Sequence, residues 1–263
     1  MNISKVKENI KIGLKKGYKQ NLLLLSSYSD FIDQVREYLL TVNVAQQLLD
    51  WNEQHSYKIQ IEYPVFHFYN NAFVAYEWDI KDIFDIAIIQ RQSGHSPTDK
   101  LYQKIDIAIT QEQNGSNAST HERTLSGIEL KGINKSEDEI IRDAKRMSNA
   151  MLLTDKVSDN SIKFCFCGFL RRFDKGEEIV TEAFIQQKTD KELEHWEEIC
   201  NKLAAKYPSL NFTIEKFDIE NTPLTDVAGF HKKMDSDYSE VANDTGSVVG
   251  YILTIKRNNE TQT

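Results

Sequence analysis

Two short segments of alternating charged and apolar residues constrain the fold more than any other feature of the chain. Residues 127–132 read Gly-Ile-Glu-Leu-Lys-Gly, and residues 104–109 read Lys-Ile-Asp-Ile-Ala-Ile. On a β-strand, residues two apart point to the same face. Glu129 and Lys131 therefore share one face, and the apolar residues beside them occupy the other. The apolar face can bury against a layer of helices while Glu129 and Lys131 project into a cleft.

These two segments are predicted to be neighbouring strands. Asp106 faces away from the three isoleucines of its own segment. Residues 111–126 are rich in Gly, Asn, Ser and Thr, which predicts a long turn region before the chain returns in the second strand. If the two strands pair, Asp106, Glu129 and Lys131 converge on one spot.

Asp85 is a second candidate for the acidic residue that would lie beside Glu129 and Lys131. Residues 84–90 (Phe-Asp-Ile-Ala-Ile-Ile-Gln) closely echo residues 105–111 (Ile-Asp-Ile-Ala-Ile-Thr-Gln). Asp85 is therefore a candidate for another inward acid. The strand that carries Asp106 leads directly to the strand that carries Glu129, which favours Asp106. The sequence leaves both aspartates open.

This arrangement resembles the PD-(D/E)XK nuclease superfamily, whose members have the restriction-endonuclease-like fold. Asp106 in its apolar alternation and the run Glu129-Leu130-Lys131 carry the resemblance. It extends over residues 56–173 through these motifs and the order of the elements. The resemblance implies an α/β protein with a mixed sheet. Its core would run helix, strand, strand, strand, helix, strand, with additions at the N- and C-terminal ends.

The resemblance also implies a metal-dependent catalytic site built from Asp106, Glu129 and Lys131. Asp106, Glu129 and the Leu130 carbonyl would bind Mg²⁺ or Mn²⁺, because these ions prefer hard oxygen ligands. Lys131 would orient the attacking water or neutralise charge on the phosphate. Acidic residues that are candidates for additional metal ligands are Glu62 and Asp85. Superfamily members often carry an acid in the helix before the sheet, for which the candidates are Asp33 and Glu37.

The expected function is metal-dependent hydrolysis of phosphodiester bonds, with DNA as the expected substrate, in restriction, phage defence or repair; endonuclease and exonuclease action both stay open. Basic residues expected to contact the nucleic acid backbone are Lys135, Arg142 and Arg146. Many relatives with this fold act as dimers, so a homodimer or a protein partner is a further expectation. The alternative is a catalytically silent nuclease-fold protein that binds or regulates a partner. The net charge of −8 motivates that alternative, since phosphate contacts need Lys and Arg.

Hydrophobic periodicity predicts the remaining elements. Predicted helices cover residues 4–16, stopped by Gly17, and residues 30–53, 136–151 and 190–207. Predicted strands cover residues 58–68, 161–173, 211–219 and 247–257. Ser136 and Glu139 form a capping box at the start of the third helix. Apolar residues on both faces of the strand at 161–173 indicate a central strand, in which Cys165 and Cys167 are small core residues.

Three regions follow from this reading. Residues 1–55 form an N-terminal helical region, residues 56–257 the nuclease-like core with a C-terminal sheet extension, and residues 258–263 a flexible tail. Residues 221–246 form a long acidic segment with weak hydrophobic periodicity, which is typical of a functional or mobile loop.

Composition excludes several classes of protein. No apolar run approaches the roughly 18 residues of a membrane-spanning helix, and the N-terminal segment lacks the pattern of a signal peptide. Three cysteines, a small and odd number, predict a reduced cytoplasmic protein. Gly-x-Gly-x-x-Gly, Walker, Gly-x-Ser-x-Gly and His-Glu-x-x-His motifs are absent from the sequence, so it does not support a nucleotide-binding or serine-hydrolase function.

Overall fold

The structure is a computed structural model that describes residues 1–25, 37–52, 56–72, 104–114, 120–153, 160–173, 182–219 and 247–258. Within these ranges the chain forms five helices and six strands. In chain order they are α1 (Ile3–Leu25), α2 (Glu37–Asn52), β1 (Tyr57–Pro64), α3 (Val65–Asn70), β2 (Lys104–Asn114), β3 (Thr120–Ile133), α4 (Glu137–Leu152), β4 (Phe164–Phe173), α5 (Glu182–Lys206), β5 (Leu210–Asp218) and β6 (Ser247–Arg257).

The six described strands form one mixed sheet in the order β1-β2-β3-β4-β6-β5. β1, β2 and β3 pair antiparallel, β3 and β4 pair parallel, and β6 runs antiparallel to both β4 and β5. The parallel pair needs a crossover between its strands, and α4 lies in that connection. The predicted α/β class with a mixed sheet is confirmed, and the two C-terminal strands extend the sheet as predicted.

Helices cover both faces of this sheet. The first face packs on α1 and α2, and its core includes Ile10, Leu14, Leu40, Val44, Ile128 and Leu130. The second face packs on α4 and α5, and its core includes Ile140, Met147, Trp196, Cys165, Phe169 and Tyr251. Strand β4 is buried on both faces through its first seven residues, as its sequence predicted. Cys165 and Cys167 are free and buried, as predicted for core residues.

Helix α1 continues beyond the predicted stop at Gly17. Gly13 and Gly17 lie one turn apart on the side of α1 that faces α2. A Cβ atom at Gly13 would lie 2.4 Å from the Cα of Val44, and one at Gly17 would lie 3.0 Å from the Cα of Leu40. The two glycines therefore allow the two helices to approach closely. The prediction of a helix end was wrong because this contact is tertiary and has no local signal.

Two strand boundaries also differ from prediction. The chain leaves β1 at Pro64, which lacks the N–H that a ladder needs, and residues 65–70 form the short helix α3. The turn region between β2 and β3 is shorter than expected, because the strands stay paired as far as Asn114 and Thr120. Polar side chains pair across this extension, for example Thr110 Oγ1 with Glu122 Oε1 at 2.9 Å.

The side of the sheet to which alternate residues of β2 point changes at Asp106. Ile107 packs on the α1–α2 side, as does Ile59 at the edge of that core, whereas Ile105 packs on the α4–α5 side. The prediction that Ile105 shares a face with Ile107 was therefore wrong. Glu62, which lies in register with Asp106 between two ladder pairs, has a φ of 54°. This left-handed backbone conformation turns β1 at the same level.

Helix α4 begins as the capping box predicted. Ser136 Oγ accepts a hydrogen bond from the Glu139 amide at 3.3 Å, and the Ser136 amide donates to Glu139 Oε2 at 3.2 Å. Glu137, Asp138 and Glu139 place negative charge on the positive end of the helix dipole. The start of α4 is therefore determined locally, directly after β3.

Several predictions lie outside the described residues. They concern Asp33, the segment 73–91 with Asp85, the acidic segment 221–246 and the tail beyond Asn258. In the part of the chain that the structure does describe, no helix has the length and apolar character required to cross a membrane.

Candidate active site

Asp106 and Glu129 follow directly on the last ladder pair at this end of β2 and β3, which joins Ile107 to Ile128. The charge of Asp106 contributes to the raised pKa of Glu129, so the two carboxyl groups lie near each other. Instead of continuing the ladder, Asp106 Oδ2 accepts a hydrogen bond from the Leu130 amide at 2.7 Å. This bond fastens the Asp106 carboxylate to the strand that carries the Glu-x-Lys motif.

Glu129 points to the side of the sheet that α4 covers. Its neighbours Ile128 and Leu130 belong to the opposite core, as the alternation predicted. In the parallel ladder Glu129 lies opposite Cys167, and Lys131 lies opposite Phe169. The Glu129 side chain is only 2% exposed. A carboxylate so far removed from water needs compensating charge or hydrogen bonds.

Helix α4 supplies that compensation through Arg146. Its Nη2 atom donates a short hydrogen bond to Glu129 Oε1 and a second bond, of 3.0 Å, to Asp143 Oδ1. Asp143 precedes Arg146 by three residues, so both side chains leave the same side of the helix. Arg146 was predicted to contact nucleic acid from the outer face of α4, but its side chain points inward and is 17% exposed.

Asp143 is a site residue that the sequence analysis missed. Its side chain is 4% exposed and its Oδ2 atom lies 3.0 Å from Lys131 Nζ. Asp143 therefore joins Lys131 to Arg146 and ties β3 to α4. A signal was available: Asp143 lies on the apolar face of α4 between Ile140 and Ala144, where an acid needs a buried partner.

Burial and neighbouring charge shift the pKa values of this group in a consistent direction. Burial raises the pKa of Glu129 well above its usual range, Asp106 and Asp143 add to that rise, and Arg146 opposes it. Burial also raises the pKa of Asp106, against the hydrogen bond from the Leu130 amide. Burial thus favours the protonated form of Glu129 and Asp106, and the neighbouring cations favour the ionised form.

The pKa values of the two cations are raised as well, which for a base favours the charged form. Burial disfavours the charge of Lys131, but Asp143, Glu129 and Asp106 outweigh it and raise the pKa of Lys131. Burial likewise disfavours the charge of Arg146, and Glu129 and Asp143 outweigh it. The neighbouring acids therefore favour the cationic form of both side chains.

Glu37, in the first turn of α2, forms one border of the site. Its Oε1 atom accepts a hydrogen bond from the Gly132 amide at 3.4 Å and lies 3.3 Å from Lys135 Nζ. The negative charge of Glu37 contributes to the raised pKa of Asp106. Of the two acids considered for the helix before the sheet, Glu37 therefore lies beside the motif residues.

Glu62 lies in the same row as Asp106 and Glu129 but turns away from them. It is in register opposite Asp106 on β1, and its Oε2 atom pairs with Lys104 Nζ at 2.8 Å. The Glu62 side chain is 45% exposed. A non-glycine residue with a φ of 54° stores backbone strain, and such strain is concentrated at functional sites.

Arg142 differs from Arg146 in its position on α4. It is exposed on this helix, and Lys135 follows β3 with its side chain paired to Glu37. Both side chains are exposed. Their predicted contact with nucleic acid stays a prediction.

The carboxylate oxygens of Asp106 and Glu129 are of the kind that binds a hard divalent cation. In the structure, however, the acidic side chains of the site pair with Arg146 and Lys131. Asp106 and Glu129 offer carboxylate oxygens from neighbouring strands, which is the ligand chemistry of Mg²⁺. One oxygen of each is already used, by the Leu130 amide and by Arg146. Among the residues that the structure describes, no three His, Cys, Asp or Glu side chains lie together as a group that could hold a metal ion.

Comparisons with known proteins provide no assignment. Neither a family model, nor a curated protein, nor a solved structure matches this chain. Any functional conclusion therefore depends on the geometry of the site.

Proposed function

We propose that this protein is a metal-dependent nuclease of the PD-(D/E)XK type that hydrolyses phosphodiester bonds, with DNA as the expected substrate. One observation carries the proposal. Asp106 is hydrogen-bonded to the Leu130 amide beside Glu129, and Lys131 follows Glu129 on the same face beside α4, so the three charged groups influence one another. Two acids and a lysine in this relation are the residue types that metal-assisted phosphodiester hydrolysis requires.

The chain order of the described elements supports a restriction-endonuclease-like core. Helix α2, strands β1, β2 and β3, helix α4 and strand β4 follow one another, with the short helix α3 added after β1. This is the order helix, strand, strand, strand, helix, strand that the resemblance implies. Helix α1 and strands β5 and β6 are additions at its two ends.

The residues that would hold Mg²⁺ or Mn²⁺ are Asp106, Glu129 and the Leu130 carbonyl. When bound, such an ion supplies a Lewis acid that lowers the pKa of a bound water. Glu62 is the described candidate for a further ligand because it shares the row of Asp106 and Glu129. A rotation of the exposed Glu62 side chain away from Lys104 would be required.

The chain's own residues would position and neutralise the phosphate. Lys131 is cationic and held by Asp143, so it can stabilise negative charge that develops on the phosphoryl oxygens. Lys135 and Arg142 would contact the nucleic acid backbone outside the site. A role in restriction, phage defence or repair inside the cytoplasm is proposed by analogy of fold alone.

A second candidate function is a catalytically silent nuclease fold that binds or regulates a protein partner. The observation that favours it is the ion pair between Arg146 and Glu129. A motif acid that is permanently neutralised by an arginine would leave the fold intact and remove the metal site. The net charge of −8 is also compatible with a basic protein partner.

A cleavage assay separates the two functions. Plasmid, linear duplex DNA, single-stranded DNA and RNA would be incubated with the protein and Mg²⁺, Mn²⁺ or EDTA. The proposal expects metal-dependent cleavage that K131A lowers on the order of a hundredfold or more. K202A, which removes an exposed lysine from α5, is the control. Absence of cleavage on every substrate, with the protein folded, would refute the nuclease function and favour the silent fold.

A further inference from the structure

The exposed large apolar side chains of the described residues are concentrated at one edge of the molecule. They are Ile61 on β1 and three residues of α2, namely Tyr38, Val42 and Leu49, of which Tyr38 is 60% exposed. We call these three residues the α2 stripe. Residues 38–49 of α2 contain no charged side chain. A helix that carries apolar residues on its outer as well as its inner face is typical of one that is covered on both.

The α2 stripe points away from α1. Successive residues of a helix lie about 100° apart around its axis, so the three residues of the stripe fall within about 40° of one another. Helix α1 packs instead on Leu40 and Val44, which lie about 120–180° around α2 from the stripe. Because α2 covers β1, β2 and β3 while α1 covers β4 and β6, the stripe projects towards the β1 edge of the sheet.

Strand β1 is the outermost described strand at that edge. Among the described strands, only β2 pairs with it, so the other edge of β1 can receive a further strand. Ile61 lies opposite Ile107 in the β1–β2 ladder, and Ile107 belongs to the core under α1 and α2. The exposed Ile61 therefore lies on the same side of the sheet as the α2 stripe.

Two-fold symmetry brings each of these features onto its own copy. Two copies of β1 that pair antiparallel are related by a two-fold axis perpendicular to the sheet, which keeps both copies of α2 on one face. The two α2 stripes then face each other above the new strand pair, with Ile61 of each copy beneath them. A two-fold contact of this kind is self-complementary and closes at two copies.

The charges of β1 are also self-complementary. Lys58 and Glu62 are both exposed and lie near opposite ends of the strand. With Gln60 on the two-fold axis, Lys58 of each copy lies opposite Glu62 of the other. Within one copy Lys58 pairs with Glu112 and Glu62 pairs with Lys104, so the joined strands carry a row of alternating charges. Opposite charges across paired strands stabilise the pair, whereas like charges destabilise it.

We propose that this edge is a homodimer interface, in which β1 of two copies pair antiparallel and the two α2 stripes cover each other. The proposal goes beyond the nuclease function and does not depend on it, because exposure, register and charge alone define the surface. It makes α2 common to the interface and the candidate site, since the same helix carries Glu37 to the border of that site.

Sedimentation velocity over a range of micromolar concentrations measures the association, with each variant shown to be folded by circular dichroism. Wild type is expected to form a dimer. L49E places a charge in both stripes and should weaken dimerisation at least about a hundredfold. Q187E adds the same charge at an exposed position of α5 on the other face of the sheet and should match wild type. A monomeric wild type, or an L49E variant that dimerises as wild type does, would overturn the proposal.

Charge reversal on β1 tests the strand register. K58E and E62K each place like charges opposite one another twice in every dimer, and each should weaken dimerisation about tenfold. The double variant K58E/E62K restores opposite charges between the copies and should return to within about threefold of wild type. Within one copy the double variant repels both Glu112 and Lys104, so the recovery cannot arise inside the monomer. A double variant that does not recover would overturn the pairing of β1 with its copy.

A cysteine on the two-fold axis reports the geometry directly. Opposite residues of antiparallel strands have Cα atoms about 4.5–5.5 Å apart, which is within the reach of a disulfide. The three native cysteines are buried and do not compete. Q60C should therefore form a covalent dimer under mild oxidation, and Q187C should not. A Q60C variant that yields no more covalent dimer than Q187C would contradict the proposed axis and overturn the interface.

Discussion

Replacing Arg146 by Gln should destabilise the protein in a manner that depends on pH. R146Q leaves the Glu129 carboxylate 2% exposed and without its guanidinium partner. At an effective dielectric constant of about 20, an ion pair separated by about 4 Å contributes about 4 kcal/mol. Loss of the guanidinium also leaves the Glu129 carboxylate buried without compensation, which adds a desolvation cost. The expected loss in the free energy of unfolding at neutral pH is therefore about 3–5 kcal/mol, typical of a broken buried pair.

The pH dependence follows from the direction of the Glu129 pKa. Burial raises this pKa in the folded protein, and loss of Arg146 raises it further. Folding then favours the protonated carboxyl, so the penalty is complete above the folded-state pKa. It shrinks as pH falls through that pKa towards the ordinary value of about 4.3 in the unfolded chain. The difference between R146Q and wild type should thus be smaller at pH 5 than at pH 8.

Urea unfolding followed by circular dichroism measures this difference directly. K145Q is the control on the same helix and should lie within about 0.5 kcal/mol of wild type. The double variant E129Q/R146Q removes the buried charge as well and should recover at least about half of the loss. A loss below about 1 kcal/mol, or one without pH dependence, would mean that the Glu129–Arg146 pair does not form in solution.

Two further substitutions test the backbone features of the fold by the same unfolding measurement. E62G should be about 1 kcal/mol more stable than E62A, because both remove the carboxylate while only glycine relieves the left-handed φ of 54°; equal stability would contradict that conformation. G13A should lose about 1–3 kcal/mol despite the better helix propensity of alanine, since its Cβ would lie 2.4 Å from the Cα of Val44. G17A, with contacts of 3.0 Å or more, should lose less.

The elements that sequence predicted well are those in which local pattern and tertiary environment agree. The alternation around Glu129 predicted β3, and the two-sided apolar pattern predicted that β4 is central. The capping box marked the start of α4. The return of the chain from β2 into β3 was also predicted, from the Gly-, Asn-, Ser- and Thr-rich residues between them. In each of these cases the signal lies in the segment itself.

The missed features depend on contacts between distant segments. Gly17 looks like a helix stop until α2 packs against it. The change of face at Asp106 occurs at the level of the left-handed backbone of Glu62 in the neighbouring strand, which is distant in sequence. Arg146 looks like a surface base because helical periodicity does not reveal that a buried acid lies beneath it. Asp143 was missed for the complementary reason, since its partner Lys131 is on β3.

The sequence by itself therefore determined the residue types of the site and the face that Glu129 and Lys131 share, because alternation on a strand is a local property of the backbone. It specified that Asp106, Glu129 and Lys131 could meet if two strands paired. Only the tertiary structure decided what else meets them. Packing of α4 over β3 brings Asp143 and Arg146 onto the motif residues. The charge balance of a buried site is a sum over all elements that surround it, so it exists only once they have packed together.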